Sequence, residues 1–218
     1  TEPVLLCEDA VEDPEALVHC AAHDARFDPA RAGQNFYPGL RAPAPLAYVS
    51  GLVRALDPLI RKTFGLPAVK LGRAICNFSI VTVDPQELNP AQRLPHVDTV
   101  DPLQFAILHY LCAPRFGGTA FYRHRSTGFE TLSPERVDPY QRALDAELVL
   151  HPPQPGYVVG NTPLFAETGQ IDAAFNRVIV YRSCLLHSGR VDAKAGLDPN
   201  PERGRLTANI FLTYQRVA

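Results

Sequence analysis

The chain has 218 residues, 46% of them hydrophobic and 20% charged, and a formal net charge of −2. That is an ordinary soluble composition, long enough for one sizeable core, and its lack of a basic excess argues against a nucleic-acid partner. No apolar run approaches the ~18 residues of a membrane span, so no membrane association is expected.

The five cysteines are odd in number and form no C-x-x-C pair, which speaks against a disulfide framework and for a reducing cytoplasm. Residues 8–13 are acidic, unlike a secretory signal. The abundance of Pro and Ala, with Arg over Lys, suggests a GC-rich bacterial genome.

Residues 1–66 read as helical support. Asp13-Pro14-Glu15 combines a cap, a proline at the first helical position and an acid near the positive end of the dipole. His19 and His23 follow on this helix, four apart, and read best as solvated helix-face residues. Residues 26–45 read as a loop. A second helix is expected from Pro45, burying Leu46, Val49, Val53 and Leu56, with Pro58 expected to end, kink or restart it.

From residue 67 the pattern changes to strands. Residues 70–83 are rich in β-branched residues, 94–99 hold an H-x-D pair on an expected strand, and 104–111 are almost wholly apolar. Gly117-Gly118 reads as a turn before a short strand at 119–122. Ser133-Pro134-Glu135 opens a helical insertion near 133–147, with Asp138-Pro139 as a point of division. Strands are expected at 157–159, 165–171 and 176–181, then a turn-rich loop over 191–204, and a strictly alternating strand at 205–214. Helices followed by many short strands predict a mainly β fold with supporting helices, a jelly roll or double-stranded β-helix, in one domain over 1–218.

The candidates to carry chemistry are His96, Asp98 and His187. On a strand, His96 and Asp98 share a face. With His187 they form the donor set of an open ferrous site, three protein ligands on one side and free positions on the other. His96 by itself reads more readily as a surface histidine. Arg205 and Thr207 also share a face, and an arginine fork beside a hydroxyl suits a carboxylate. Alternation alone leaves open whether that face or the one carrying Leu206, Ala208 and Ile210 points inward.

Six pieces in order, Pro95-His96-Val97-Asp98, residues 106–111, residues 116–121, residues 176–181, Leu186-His187-Ser188-Gly189 and Gly204-Arg205-Leu206-Thr207, resemble the iron(II)/2-oxoglutarate-dependent dioxygenases, in particular the prolyl-4-hydroxylase-like branch. The resemblance covers about 70–215. It implies Fe(II) on His96, Asp98 and His187, and 2-oxoglutarate as co-substrate with its distal carboxylate on Arg205, aided by Tyr110 and, less directly, Thr207. Asn209 continues their face toward the metal region. Ascorbate as an assisting reductant and O2 as a reactant come with the same resemblance. Arg205 is preferred to Arg203 because it opens the periodic strand, while Gly204 after Arg203 marks a turn.

Asn77 and Ser79 are polar residues on an apolar strand and candidates for lining the same cavity. Tyr122, His124 and Arg125 are candidate contacts for a small-molecule or peptide substrate; for all five, ordinary strand or loop polarity is the alternative. The implied activity is hydroxylation of an unactivated C–H bond with release of succinate and CO2. The rival readings are a metal-dependent jelly-roll sensor and a cupin-type enzyme that does not use 2-oxoglutarate. Oligomeric state is not legible in the chain.

Overall fold

The computed structural model describes residues 2–29, 37–66 and 68–217. Its elements are β1 (Leu5–Cys7), α1 (Pro14–His23), β2 (Asp28–Pro29), β3 (Gly39–Pro43), α2 (Leu46–Thr63), β4 (Val69–Val81), β5 (Gln104–Tyr110), β6 (Gly117–His124), α3 (Pro134–Leu150), β7 (Phe165–Asp172), β8 (Arg177–Arg182), β9 (His187–Val191) and β10 (Leu206–Arg216). They form a seven-stranded sheet in the order β1-β8-β5-β10-β4-β3-β2 and a three-stranded sheet in the order β7-β6-β9. Every pairing is antiparallel. This is a mainly β, jelly-roll architecture with helical support.

Alternation along the strands divides the interior into three apolar clusters. One face of the large sheet, carrying Phe105, Ile107, Ala208 and Ile210, packs against the helices. The amphipathic α2 supplies Val49, Leu52, Val53, Leu56 and Ile60 to it, each burial contributing roughly 1.5–3 kcal/mol. The opposite face, with Leu108, Tyr110, Ile179 and Tyr181, meets Phe121 of the small sheet. The small sheet's outer face, with Ala120 and Tyr122, is covered by Tyr140 and Leu144 of α3. The site lies between the two sheets.

The helix α1 starts as expected, with the Asp13 carboxylate accepting from the Ala16 N–H at 2.9 Å. Several other expectations need correction. The first 66 residues also supply β1, β2 and β3 to the large sheet; of the loop expected over 26–45, residues 30–36 lie outside the described residues. Leu46 is 82% exposed, because the buried stripe of α2 starts only at Val49.

Pro58 does not end α2, and Pro139 does not divide α3. Both prolines lie on exposed positions, where the carbonyls of Arg54 and Glu135, left without an N–H, can be hydrated at little cost. The end of α2 is held from outside. Tyr214 donates to Asp57 at 2.7 Å, and Arg61 bridges Asp57 at 2.8 Å and the Val69 carbonyl at 2.7 Å. Residues 157–159 form no strand. There the Tyr157 hydroxyl donates to the Val83 carbonyl at 2.7 Å, and Val158 is buried in the third cluster. Gly117-Gly118 is not a turn but the start of β6.

Candidate metal centre

The 94–99 segment is not a regular strand. It is an irregular stretch stapled by backbone bonds to the β8–β9 connection and the first residue of β9. His96 and His187 exchange two N–H···O bonds, both 2.9 Å, and the Asp98 N–H donates to the Ser183 carbonyl at 2.9 Å. Local alternation survives without a ladder. Val97 packs into the third cluster, while His96 and Asp98 border the cavity between the sheets. On its other side, His187 pairs with Phe121 of β6.

These bonds bring the three side chains together, with donor atoms within 4.8 Å of one another. His96 Nε2 is 3.9 Å and His187 Nε2 3.7 Å from the Asp98 carboxylate. The His96 ring is 54% exposed toward the open side, whereas His187 is 8% exposed. His187 Nδ1 lies 2.8 Å from the Leu185 carbonyl, which only accepts, so Nδ1 carries the proton and Nε2 presents a lone pair toward Asp98.

Burial holds His187 down to about 4; His96, open on one side, is lowered by partial desolvation and by neighbouring His187. Burial also pushes Asp98 up, against the pull of His96 and Arg41. Two histidines held neutral beside a carboxylate short of positive charge are a donor set suited to a divalent cation.

The cavity has a volume of about 710 Å³. Arg205, Thr207 and Asn209 of β10 line it, so the polar face of that strand points inward to the site and Leu206, Ala208 and Ile210 pack under the helices. Arg205 is 4% exposed and reaches across to the small sheet, donating to the carbonyls of Phe116 at 3.2 Å and Gly118 at 2.8 Å. Arg203 lies outside, 68% exposed and paired with Asp198.

Tyr110, opposite Thr207 in the ladder, shares a 2.6 Å hydrogen bond with Thr119, itself a lining residue. Thr207 donates to Asn209 at 2.7 Å. Asn77 is opposite Asn209 and Ser79 opposite Thr207, on the same sheet face.

Tyr122 and His124 are turned away from this cavity, which corrects their reading as substrate contacts. Both are fully buried on the outer side of β6. His124 bridges Thr127 and Glu147, each at 2.9 Å, so it ties α3 to the sheet. The alternation that points Thr119 inward sends Ala120 and Tyr122 outward. Arg125 likewise holds the Thr162 carbonyl at 3.1 Å.

Sequence reasoning missed Arg41, Tyr157 and Tyr181 on the cavity wall. For Arg41 the signal was weak: β3 has five residues among prolines and glycines, too few to reveal a period. Tyr181 was legible as an apolar strand residue, but its facing depends on register with β5.

The class defined so far is a jelly roll with a two-histidine, one-carboxylate cluster beside a polar cavity between its sheets. The chain belongs to the family described as a family of unknown function (DUF6445), whose profile matches residues 1–212. A search of curated proteins finds no match.

Among solved structures, the chain is similar to SnoN, a non-heme alpha ketoglutarate dependent epimerase from nogalamycin biosynthesis. The identity is 9% over 97% of this chain and 78% of that one, with a TM-score of 0.51. HygX from Streptomyces hygroscopicus, with nickel and 2-oxoglutarate bound, is 15% identical over 98% of this chain and 83% of that one, at a TM-score of 0.47. AviO1 from Streptomyces viridochromogenes Tue57 is 15% identical over 100% and 91%, at 0.49. At such identity the likeness to SnoN establishes the shared fold. No described helix is long and apolar enough to cross a membrane.

Proposed function

We propose that this protein is an Fe(II)- and 2-oxoglutarate-dependent oxygenase, of the prolyl-4-hydroxylase-like branch, that hydroxylates an unactivated C–H bond of a small molecule, amino acid or peptide. The observation that carries this is the convergence of His96, Asp98 and His187 on a cavity that also holds a buried arginine, Arg205. SnoN's alpha-ketoglutarate dependence, on the same fold, is in keeping with it.

His96, Asp98 and His187 would hold the iron. When bound, Fe(II) with 2-oxoglutarate and O2 supplies the oxidising power for hydroxylation, the co-substrate leaving as succinate and CO2. The chain's own part is binding and orientation. The Leu185 carbonyl keeps the proton on His187 Nδ1, leaving Nε2 free as a ligand. Arg205, held by two carbonyls, retains further N–H donors for the distal carboxylate of 2-oxoglutarate. The Tyr110–Thr119 hydroxyl pair spends one O–H on its own bond and keeps the other to donate to that carboxylate, while the single O–H of Thr207 goes to Asn209. The apolar wall of Ala106, Leu108 and Tyr181 limits water around the reacting groups.

The test is anaerobic addition of Fe(II) and 2-oxoglutarate. A visible charge-transfer band is expected that Asp98→Ala lacks, followed on aeration with metabolite pools by succinate release and a product heavier by one oxygen. Absence of divalent-metal binding to the native protein by calorimetry overturns the reading. Metal and 2-oxoglutarate binding without turnover on any pool favours a sensor instead.

A further inference from the structure

Arg41 has no part in the chemistry described so far. It lies on β3 opposite Ser79, which is opposite Thr207, which is opposite Tyr110. These residues form one cross-strand row on the cavity face. At an interstrand spacing of about 4.8 Å, the Arg41 backbone stands about 10 Å to the side of that of Thr207. Arg205, by contrast, is committed to the carbonyls of Phe116 and Gly118.

The Arg41 guanidinium lies over the Tyr37 ring, 4.6 Å from its centroid. Its Nε is shielded from solvent and has no hydrogen-bond partner. Among the described residues it makes no ion pair with a carboxylate; Asp98 acts on it electrostatically without contact. A sequestered guanidinium donor without an acceptor is costly, and an oxyanion in the cavity is the partner that would satisfy it with charge assistance.

Charge balance points the same way. Among the described residues, Asp98, Arg41 and Arg205 are the acidic and basic side chains on the cavity wall. A divalent ion, Asp98, dianionic 2-oxoglutarate and Arg205 cancel. Arg41 is then the positive charge left over.

We infer that Arg41 is a specificity-determining residue that receives an anionic oxygen group, a carboxylate or a phosphate, of the primary substrate. Tyr37 keeps the guanidinium flat for that contact. This rests on the oxygenase reading above.

The experiment uses Zn(II)-loaded protein saturated with 2-oxoglutarate and labelled with 15N-arginine. The Arg41 Nε–H signal is assigned by its loss in Arg41→Gln. Butanoate, methyl phosphate and the neutral control n-butanol are then titrated in. A saturable shift of the Arg41 signal is expected with at least one anion and not with butanol. A response to butanoate assigns a carboxylate, and a response to methyl phosphate a phosphate.

Arg41→Gln should weaken that anion at least about tenfold, and Arg41→Lys less, since a charge remains without the planar fork. Calorimetric affinity for 2-oxoglutarate should be unchanged in both variants. An Arg41 signal unmoved by either anion, or one that already moves when 2-oxoglutarate is added, overturns the inference and leaves the oxygenase reading standing. Failure to take up Zn(II) or 2-oxoglutarate brings down that reading and this inference with it.

Discussion

At the scale of single residues, the site depends on which atom of each side chain is free. His187 Nδ1–H is committed to the Leu185 carbonyl, so only Nε2 can act as a ligand. Replacing His187 or Asp98 removes a donor outright. His187→Gln and Asp98→Asn should each lower Ni(II) affinity, measured by calorimetry, by more than the ~10–100-fold that loss of a supporting partner costs. Arg205 is different, because it has a structural role as well. Arg205→Met leaves the Phe116 and Gly118 carbonyls without its donors, and a buried polar group stripped of its partner costs about 1–3 kcal/mol. Chemical denaturation should therefore show a lower midpoint for this variant. Loss of 2-oxoglutarate binding should persist under conditions where circular dichroism still reports the native fold.

At the scale of elements, two glycines of similar appearance in the sequence have opposite meanings. A Cβ at Gly118 would sit 2.1 Å from the Ile171 carbonyl, so β6 and β7 can approach only because that position is bare. Gly118→Ala should fail to reach the native state or lose several-fold in soluble yield, as read by size-exclusion chromatography. At Gly51, on the exposed side of α2, a Cβ meets nothing within 4 Å. Gly51→Ala should stabilise the protein by about 0.5–1 kcal/mol through helix propensity, raising the melting midpoint by a few degrees. The local chemistry of the helix starts was readable in Asp13-Pro14-Glu15 and Ser133-Pro134-Glu135. The continuation of α2 and α3 through Pro58 and Pro139 was not. It depends on tertiary anchors such as Tyr214 on Asp57 and on exposure of the freed carbonyls.

At the scale of the whole molecule, a buried polar network joins parts distant in sequence. The Val11 backbone donates to Asn176 Oδ1 at 3.1 Å and accepts from its Nδ2 at 2.8 Å, which fixes the amide orientation. His109 Nε2 lies 3.1 Å from that Oδ1 and so carries the proton, leaving Nδ1 to accept from the Tyr48 hydroxyl at 2.9 Å. Burial holds His109 down to about 4, against the Asn176 hydrogen bond that raises it. Between the ordinary histidine value near 6.5 and about 4 the unfolded chain therefore binds the extra proton, and stability falls as pH falls through that window. His96 and His187 add in the same direction in metal-free protein. Denaturation of metal-free protein should show stability steady above about pH 7 and declining toward pH 4. His109→Leu should be less stable at pH 7.5 yet show a shallower decline.

The sequence by itself determined the β-rich class, the caps, the alternating final strand and the identity of His96, Asp98, His187 and Arg205 as candidates. Those signals are local: a cap needs three residues, a strand period needs six or so, and an H-x-D pair needs three. Tertiary structure decided what local signals cannot carry. The backbone bonds of His96 to His187 and Asp98 to Ser183 brought the three donors together without a regular strand. Inter-strand register turned Arg205 and Thr207 toward the cavity, and the outward face of β6 removed Tyr122 and His124 from it. A five-residue strand, hydrogen-bonded to β4, carried Arg41 to the cavity wall. The physical reason is the same in each case. A strand's period of two says which side chains share a face, and only the sheet packed against that face decides which way it looks.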